Sequence, residues 1–138
     1  MTSKIRNDKL RINQLSEKTF QWYIGYLNAI DKRDIESYAN YLSDDCSMRI
    51  NNDLPVSGKY HIMKHLTSLW TLYKEDTHDL LNIYGTDSSF SSEIINHFIL
   101  EDGKEILINA VACVDRNEEG LLTSVRLYSD FSPLFSKV

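Results

Sequence analysis

The sequence predicts an α+β fold in which three helices in the first half of the chain pack on one curved, largely antiparallel sheet. Two observations carry this. Apolar residues recur at helical spacing through the first half, and residues 91–131 alternate as three long strands joined by two hairpins. Asp102-Gly103 has the composition of a two-residue turn, and Asn117 to Gly120 reads as a longer loop closed by glycine.

Pairing outward from Asp102-Gly103 sets Ile99 opposite Ile106, His97 opposite Ile108, Ile95 opposite Ala110 and Glu93 opposite Ala112. The second loop sets Ala112 opposite Val125, Ala110 opposite Leu127 and Ile108 opposite Ser129. Directly opposed residues share a face. The face holding Glu93, Ile95, His97, Ile99, Ala112, Val125, Leu127 and Ser129 is therefore expected to lie under the helices, with His97 and Glu93 as its polar members. The opposite face, with Phe98, Leu107, Val111 and Tyr128, is expected to meet solvent or a partner.

Before these hairpins, residues 1–14 are polar and are expected to form a flexible arm, leaving 15–138 as one domain. Ser16 can cap a helix whose stripe is Phe20, Tyr23, Ile24, Leu27 and Ile30. A second short helix buries Ile35, Tyr38, Tyr41 and Leu42. Cys46 to Ile50 alternates as a strand, and Asn51 to Pro55 is turn chemistry. Ser57-Gly58 opens a third helix with Ile62, Leu66, Leu69, Trp70 and Tyr73 inward. His78 to Tyr84 is a further strand.

Composition narrows the function classes. Among 138 residues the net charge is −5, and no basic stripe is present to follow a phosphate backbone, so nucleic acid is not expected as a partner. Cys46 and Cys113 fall in strands and read as small buried hydrophobes rather than a disulfide. The first residues are charged and lack the apolar run of a signal peptide, and no stretch is apolar for long enough to span a bilayer. A cytoplasmic location is expected.

The element order, with LNAIDKRDIESYANYLSDDCSM early and VRLYSDFSPLF late, resembles the NTF2-like superfamily and, within it, the SnoaL-like branch. The Leu42 to Asp45 segment, the Gly58 helix opening and a last strand ending Arg126 to Asp130 carry the likeness. The resemblance implies a cone: a curved mixed sheet wrapped around three helices with a central cavity. It implies ketosteroid isomerase, polyketide cyclase or dehydratase chemistry, or ligand binding without catalysis, since one fold serves many functions. Matching the isomerase pattern puts its oxyanion tyrosine at Tyr23. Its two catalytic carboxyl positions fall at Ile50 and Ala112, so enolisation through those groups is excluded. The same match puts His65 and His97 at the cavity. The acid/base aspartate of SnoaL-type cyclases matches Asp130, which the face count turns away.

His97 is thus the expected proton-transfer residue, assisted by Tyr23 and His65. The alternative for His97 is a core histidine satisfied by a neighbour. Ile50, Trp70, Glu93, Ile95, Ile99, Ala112, Val125, Leu127 and Ser129 are the expected substrate contacts. His61 and His65 have a metal-compatible spacing but no further ligands, so no metal and no cofactor are expected. The expected partners are a small, mostly apolar organic molecule and a second copy of the chain, docked through the outer sheet face.

Overall fold

In the computed structural model, which describes residues 5–135, Ser16 caps helix α1 (Glu17–Asp31) as its position requires, accepting a hydrogen bond from Thr19 N at 3.2 Å. Phe20, Tyr23 and Leu27 bury the expected stripe. Helix α2 (Ile35–Ala39) is capped by Asp34 and stops before Tyr41, because the chain turns there into strand β2 (Leu42–Ile50), which starts ahead of Cys46. Gly58, at φ 93°, sets the turn into α3 (Lys59–Leu69), a conformation L side chains rarely adopt. Trp70 and Tyr73 are buried but lie past the end of α3, in and after a 3₁₀ turn at Trp70–Leu72.

The remaining strands are β1 (Ile12–Asn13), β3 (Val56–Ser57), β4 (Glu75–Thr86), β5 (Ser89–Ile99), β6 (Glu105–Arg116) and β7 (Leu122–Ser129). They form a 7-stranded sheet in the order β1-β4-β5-β6-β7-β2-β3. The long strands β4 to β7 pair antiparallel, while β1 joins β4 and β2 joins β7 in parallel, so the sheet is mixed. Tyr23, Tyr38, Leu42, Ile62, Leu80, Ile83, Val114 and Leu122 are fully buried between helices and sheet.

The β5–β6 register corrects the sequence expectation by one residue. His97 pairs with Leu107, Ile95 with Asn109 and Glu93 with Val111. The turn is not a two-residue one: Gly103 N donates to Leu100 O and Leu100 N to Lys104 O, so Glu101, Asp102 and Gly103 form a three-residue loop with Gly103 at φ 88°. One residue of slip reverses a whole strand. The concave face of β5 therefore carries Phe90, Ser92, Ile94, Asn96 and Phe98, all buried. The β6–β7 register differs by two residues, with Ala112 opposite Leu127, so their faces stand as expected.

The N-terminal segment also departs from expectation. The part of the expected arm on residues 1–4 lies outside the described residues, but residues 5–14 run along the edge of β4. Arg6 N donates to His78 O, Arg11 N to Leu81 O and Gln14 N to Ile83 O, while Ile5 is buried. Among the described residues no helix is long and apolar enough to cross a membrane.

Candidate active site

The concave sheet face and the inner sides of α1 and α3 enclose a cavity of about 360 Å³. Its lining is mainly aliphatic and aromatic, as in small-molecule sites generally. Exposed lining residues Asp53, Leu72 and Phe135 mark the side open to solvent.

Tyr23, His65, Ile50, Ala112, Val125 and Leu127 line this cavity. Trp70, Glu93, Ile95, His97, Ile99 and Ser129 do not. The four β5 residues among them were placed there by the slipped register and in fact face outward. Glu93 accepts a hydrogen bond from Asn82 Nδ2 at 2.8 Å. Trp70 is buried beside the Arg33 guanidinium, 5.9 Å from its ring centroid. Ser129 Oγ donates to Asn109 O at 2.7 Å. Asp130 is exposed, its carboxylate accepting from Ser132 N, away from the cavity as the face count required.

His97 belongs to a separate cluster on the outer side. Its Nε2 lies 2.9 Å from Asp79 Oδ2, and Asp79 also accepts from Arg6 Nε. Burial works against the Asp79 carboxylate, but the hydrogen bonds from His97 and Arg6 outweigh it and hold its pKa below the usual range. This cluster fastens the N-terminal segment to β4.

Two buried ionisable groups of the cavity come instead from β4, which begins at Glu75 rather than at the expected His78 and so brings Asp76 into the strand. Asp76 and His78 are two residues apart, so both side chains point inward, and both are buried. Across the β4–β5 ladder His78 pairs with Asn96 and Asp76 with Phe98. The available signal was the alternation Asp76, His78, Leu80, which puts two polar groups on the same face as a core leucine.

His78 Nδ1 lies 2.8 Å from Asp31 Oδ1 and 3.0 Å from Asp31 Oδ2, so the last residue of α1 fixes the ring from behind. His78 Nε2 is left facing Asp76 Oδ2 at 3.9 Å. Burial alone would push the imidazole pKa down, but the neighbouring Asp31 and Asp76 carboxylates outweigh it and hold it up at about 9. Burial pushes Asp76 up to about 7, against the pull of His78. Asp76 Oδ1 has no hydrogen-bond partner among the described residues. The Tyr23 hydroxyl, buried beside Ser92, makes no well-formed hydrogen bond to the described residues either, and burial pushes its pKa up to about 12. Tyr26, Tyr38 and Tyr73 are raised by burial as well, so all four tyrosines of the cavity stay neutral hydrogen-bonding groups.

Asp31, Asp76 and His78 bring one nitrogen and two carboxylate oxygens within 4.8 Å of one another. Two carboxylates and an imidazole are a donor set that suits a divalent cation. The Asp31 and Asp76 carboxylates also hold a proton on His78, so a cation at this site would have to displace that proton.

No protein-family model matches the chain, and no curated protein matches it in sequence. Solved structures do match in shape. A Shewanella denitrificans protein classed as a SnoaL-like polyketide cyclase aligns with a TM-score of 0.74 at 16% identity, over 85% of this chain and 93% of that one. A Mycobacterium tuberculosis protein in complex with estradiol-17β-hemisuccinate aligns with a TM-score of 0.72 at 14% identity, over 85% and 97% of the two chains. An M. tuberculosis epoxide hydrolase of the LEH-like type gives 0.71 at 15% identity, over 86% of each.

Proposed function

The chain has the NTF2-like cone fold, the fold it shares with SnoaL-like proteins, and from that premise we propose that it is a cavity enzyme. It binds a small, mostly apolar organic molecule and moves a proton on it without a cofactor. One observation carries this reading: a buried carboxyl, Asp76, with a pKa near 7 and one unpaired oxygen, stands in an apolar cavity beside an imidazolium held by Asp31.

The chemistry follows from those two groups. Pushed up to about 7 by burial, Asp76 sits close enough to neutrality both to take and to return a proton. An ionised Asp76 removes a proton from carbon next to a substrate carbonyl. The negative charge that develops on the carbonyl oxygen is stabilised by a hydrogen bond from His78 Nε2–H or from the Tyr23 hydroxyl. Returning the proton at another carbon gives isomerisation, and expelling a β-hydroxyl gives dehydration. Attack of the carbanion on a second carbonyl of the same molecule gives cyclisation. The role expected of His97 passes to Asp76 and His78 because His97 faces the other side of the sheet. The named chemistry of the structural neighbours, a cyclase class and an epoxide hydrolase, supports a cavity reaction on an organic substrate.

Proton exchange tests this directly. The α-protons of 2-tetralone in deuterated water should exchange faster with the protein than without it, and Asp76→Asn should abolish the gain. If the wild-type protein binds such ketones yet does not speed exchange, the cavity is a binding site without catalysis.

A homodimer through the outer sheet face is a second, compatible reading. Leu107, Val111 and Tyr128 are 58%, 39% and 41% exposed there, more than isolated apolar residues in water would favour. Phe98 drops out of that surface, since it is buried against Tyr73 at 4.8 Å between ring centroids.

A further inference from the structure

The cavity contains no lysine or arginine among the described residues that line it. Its acidic members are Asp53 and Asp76, and its histidines are His65 and His78. His78 is the cation nearest Asp76, and its charge is already matched by Asp31 through Nδ1. A ligand carboxylate reaching Asp76 would add a further negative charge to two carboxylates sharing one imidazolium. It would also give up its water to an apolar wall without a cation to compensate.

Next to this pair stands a neutral group. Asn96 lies opposite His78 in the β4–β5 ladder, is 3% exposed and lines the cavity. Its backbone is held in the sheet, and its side chain makes no hydrogen bond to another described residue, but its amide atoms are not among the fully sealed, unpaired ones and so are reached from the cavity. A polar group on an otherwise apolar wall looks for a partner there. An amide that is buried, unengaged and turned into a cavity is placed to bond something within it. Asn96 offers both a carbonyl acceptor and an NH₂ donor, so it can hold a ligand hydroxyl or a ligand carbonyl.

We infer that Asn96 is a specificity-determining residue, and that the cavity selects an uncharged, ring-bearing compound with a hydroxyl or carbonyl oxygen while rejecting the matching carboxylate. The inference rests on the cavity being a ligand site, but it does not depend on catalysis. Asn96 anchors the ligand oxygen at the level of His78, two ladder steps from Asp76. The stacked rings of Tyr73 and Phe98 flank the ring system. Rejection comes from Asp76 and the Asp31-matched His78, and the affinity for the oxygen comes from Asn96.

Binding of three probes by isothermal titration calorimetry separates these statements: naphthalene, 2-naphthol and 2-naphthoate, which share a ring system and differ in oxygen and charge. Wild-type protein should bind 2-naphthol about fivefold to tenfold more tightly than naphthalene, the worth of one well-made neutral hydrogen bond. It should bind 2-naphthoate more weakly than either. Asn96→Leu, close in volume, should erase the preference for 2-naphthol while binding naphthalene at least as tightly as wild type, which also shows that the variant is folded. Equal binding of 2-naphthol and 2-naphthoate, or an unchanged 2-naphthol preference in Asn96→Leu, would overturn the inference and leave the cavity reading standing. Failure of naphthalene and 2-naphthol alike to bind would remove both.

Discussion

Asp31, the last residue of the first helix, holds Nδ1 of His78 at 2.8 Å across 47 positions of sequence. The contact ties α1 to β4 and fixes which imidazole nitrogen faces the cavity. It makes the helix a participant in the site rather than a lid over it.

Breaking that contact should move the imidazole first. In Asp31→Asn the His78 pKa should fall from its raised position towards or below the ordinary histidine value, because burial then acts with less opposition. Titration of the ring by NMR measures it. Asp31→Ala, which strands a buried charge, should destabilise the fold by about 3–5 kcal/mol in urea unfolding.

Stability should fall as pH rises through the neutral range. The folded pKa of His78 is raised, so its contribution is complete below about pH 6.5 and is lost as pH climbs through about 9. Asp76 is also raised, so the folded state binds more protons than the unfolded chain and stability declines between about pH 4 and about pH 7. The lowered carboxylates Asp79 and Asp115 act the other way, but only in acid. Melting temperature measured from pH 6.5 upward should therefore decline. Asp76→Asn should raise it at pH 8 and change it little at pH 4. A flat profile would mean that these two groups are not coupled to folding.

Proton exchange on ketones should be insensitive to chelators. A metal here would have to displace the His78 proton and would tie up Asp76, so treatment with EDTA should leave the Asp76-dependent rate unchanged, while added zinc should inhibit. Loss of activity on chelation, restored by one metal, would identify the three side chains as a metal centre.

His97→Ala should leave exchange intact and weaken the fold. It removes one hydrogen bond from the buried Asp79 carboxylate and should cost about 1–3 kcal/mol, with hydrogen exchange rising first in residues 5–14. An equal loss of proton exchange and of stability would return His97 to the site.

The homodimer is checked by light scattering of wild type against Leu107→Glu. A mass that halves in the variant supports the outer-face contact, and a wild-type monomer at every concentration disposes of it.

Much of this architecture was legible in the chain, for identifiable reasons. Ser16, Gly58 and the helical stripes mark their elements by local chemistry, and the alternation of β6 and β7 survives a two-residue shift unharmed. Strand β5 was ambiguous because both of its faces are half apolar. Pairing from Asp102-Gly103 as a two-residue turn brought Glu93 and His97 inward, whereas the three-residue loop brings in Phe90 and Phe98. The two phenylalanines were the better guide, being the largest apolar side chains of the strand. The Asp31–His78 contact had no local signature at all, since only the packing of α1 on β4 brings those residues together.

The strap formed by residues 5–14 bears on the molecule's behaviour in a crowded solution. Strand β4 would otherwise end the sheet with a long row of unpaired amides and carbonyls, the kind of border that recruits strands from other chains. Arg6, Arg11 and Gln14 occupy that row with their own backbone, and Arg6 adds a charge beside it. At the opposite border the last strand is only Val56–Ser57, directly after a proline. Removing residues 1–14 should leave the cavity in place while exposing a sticky margin, so that the protein precipitates on standing long before it unfolds.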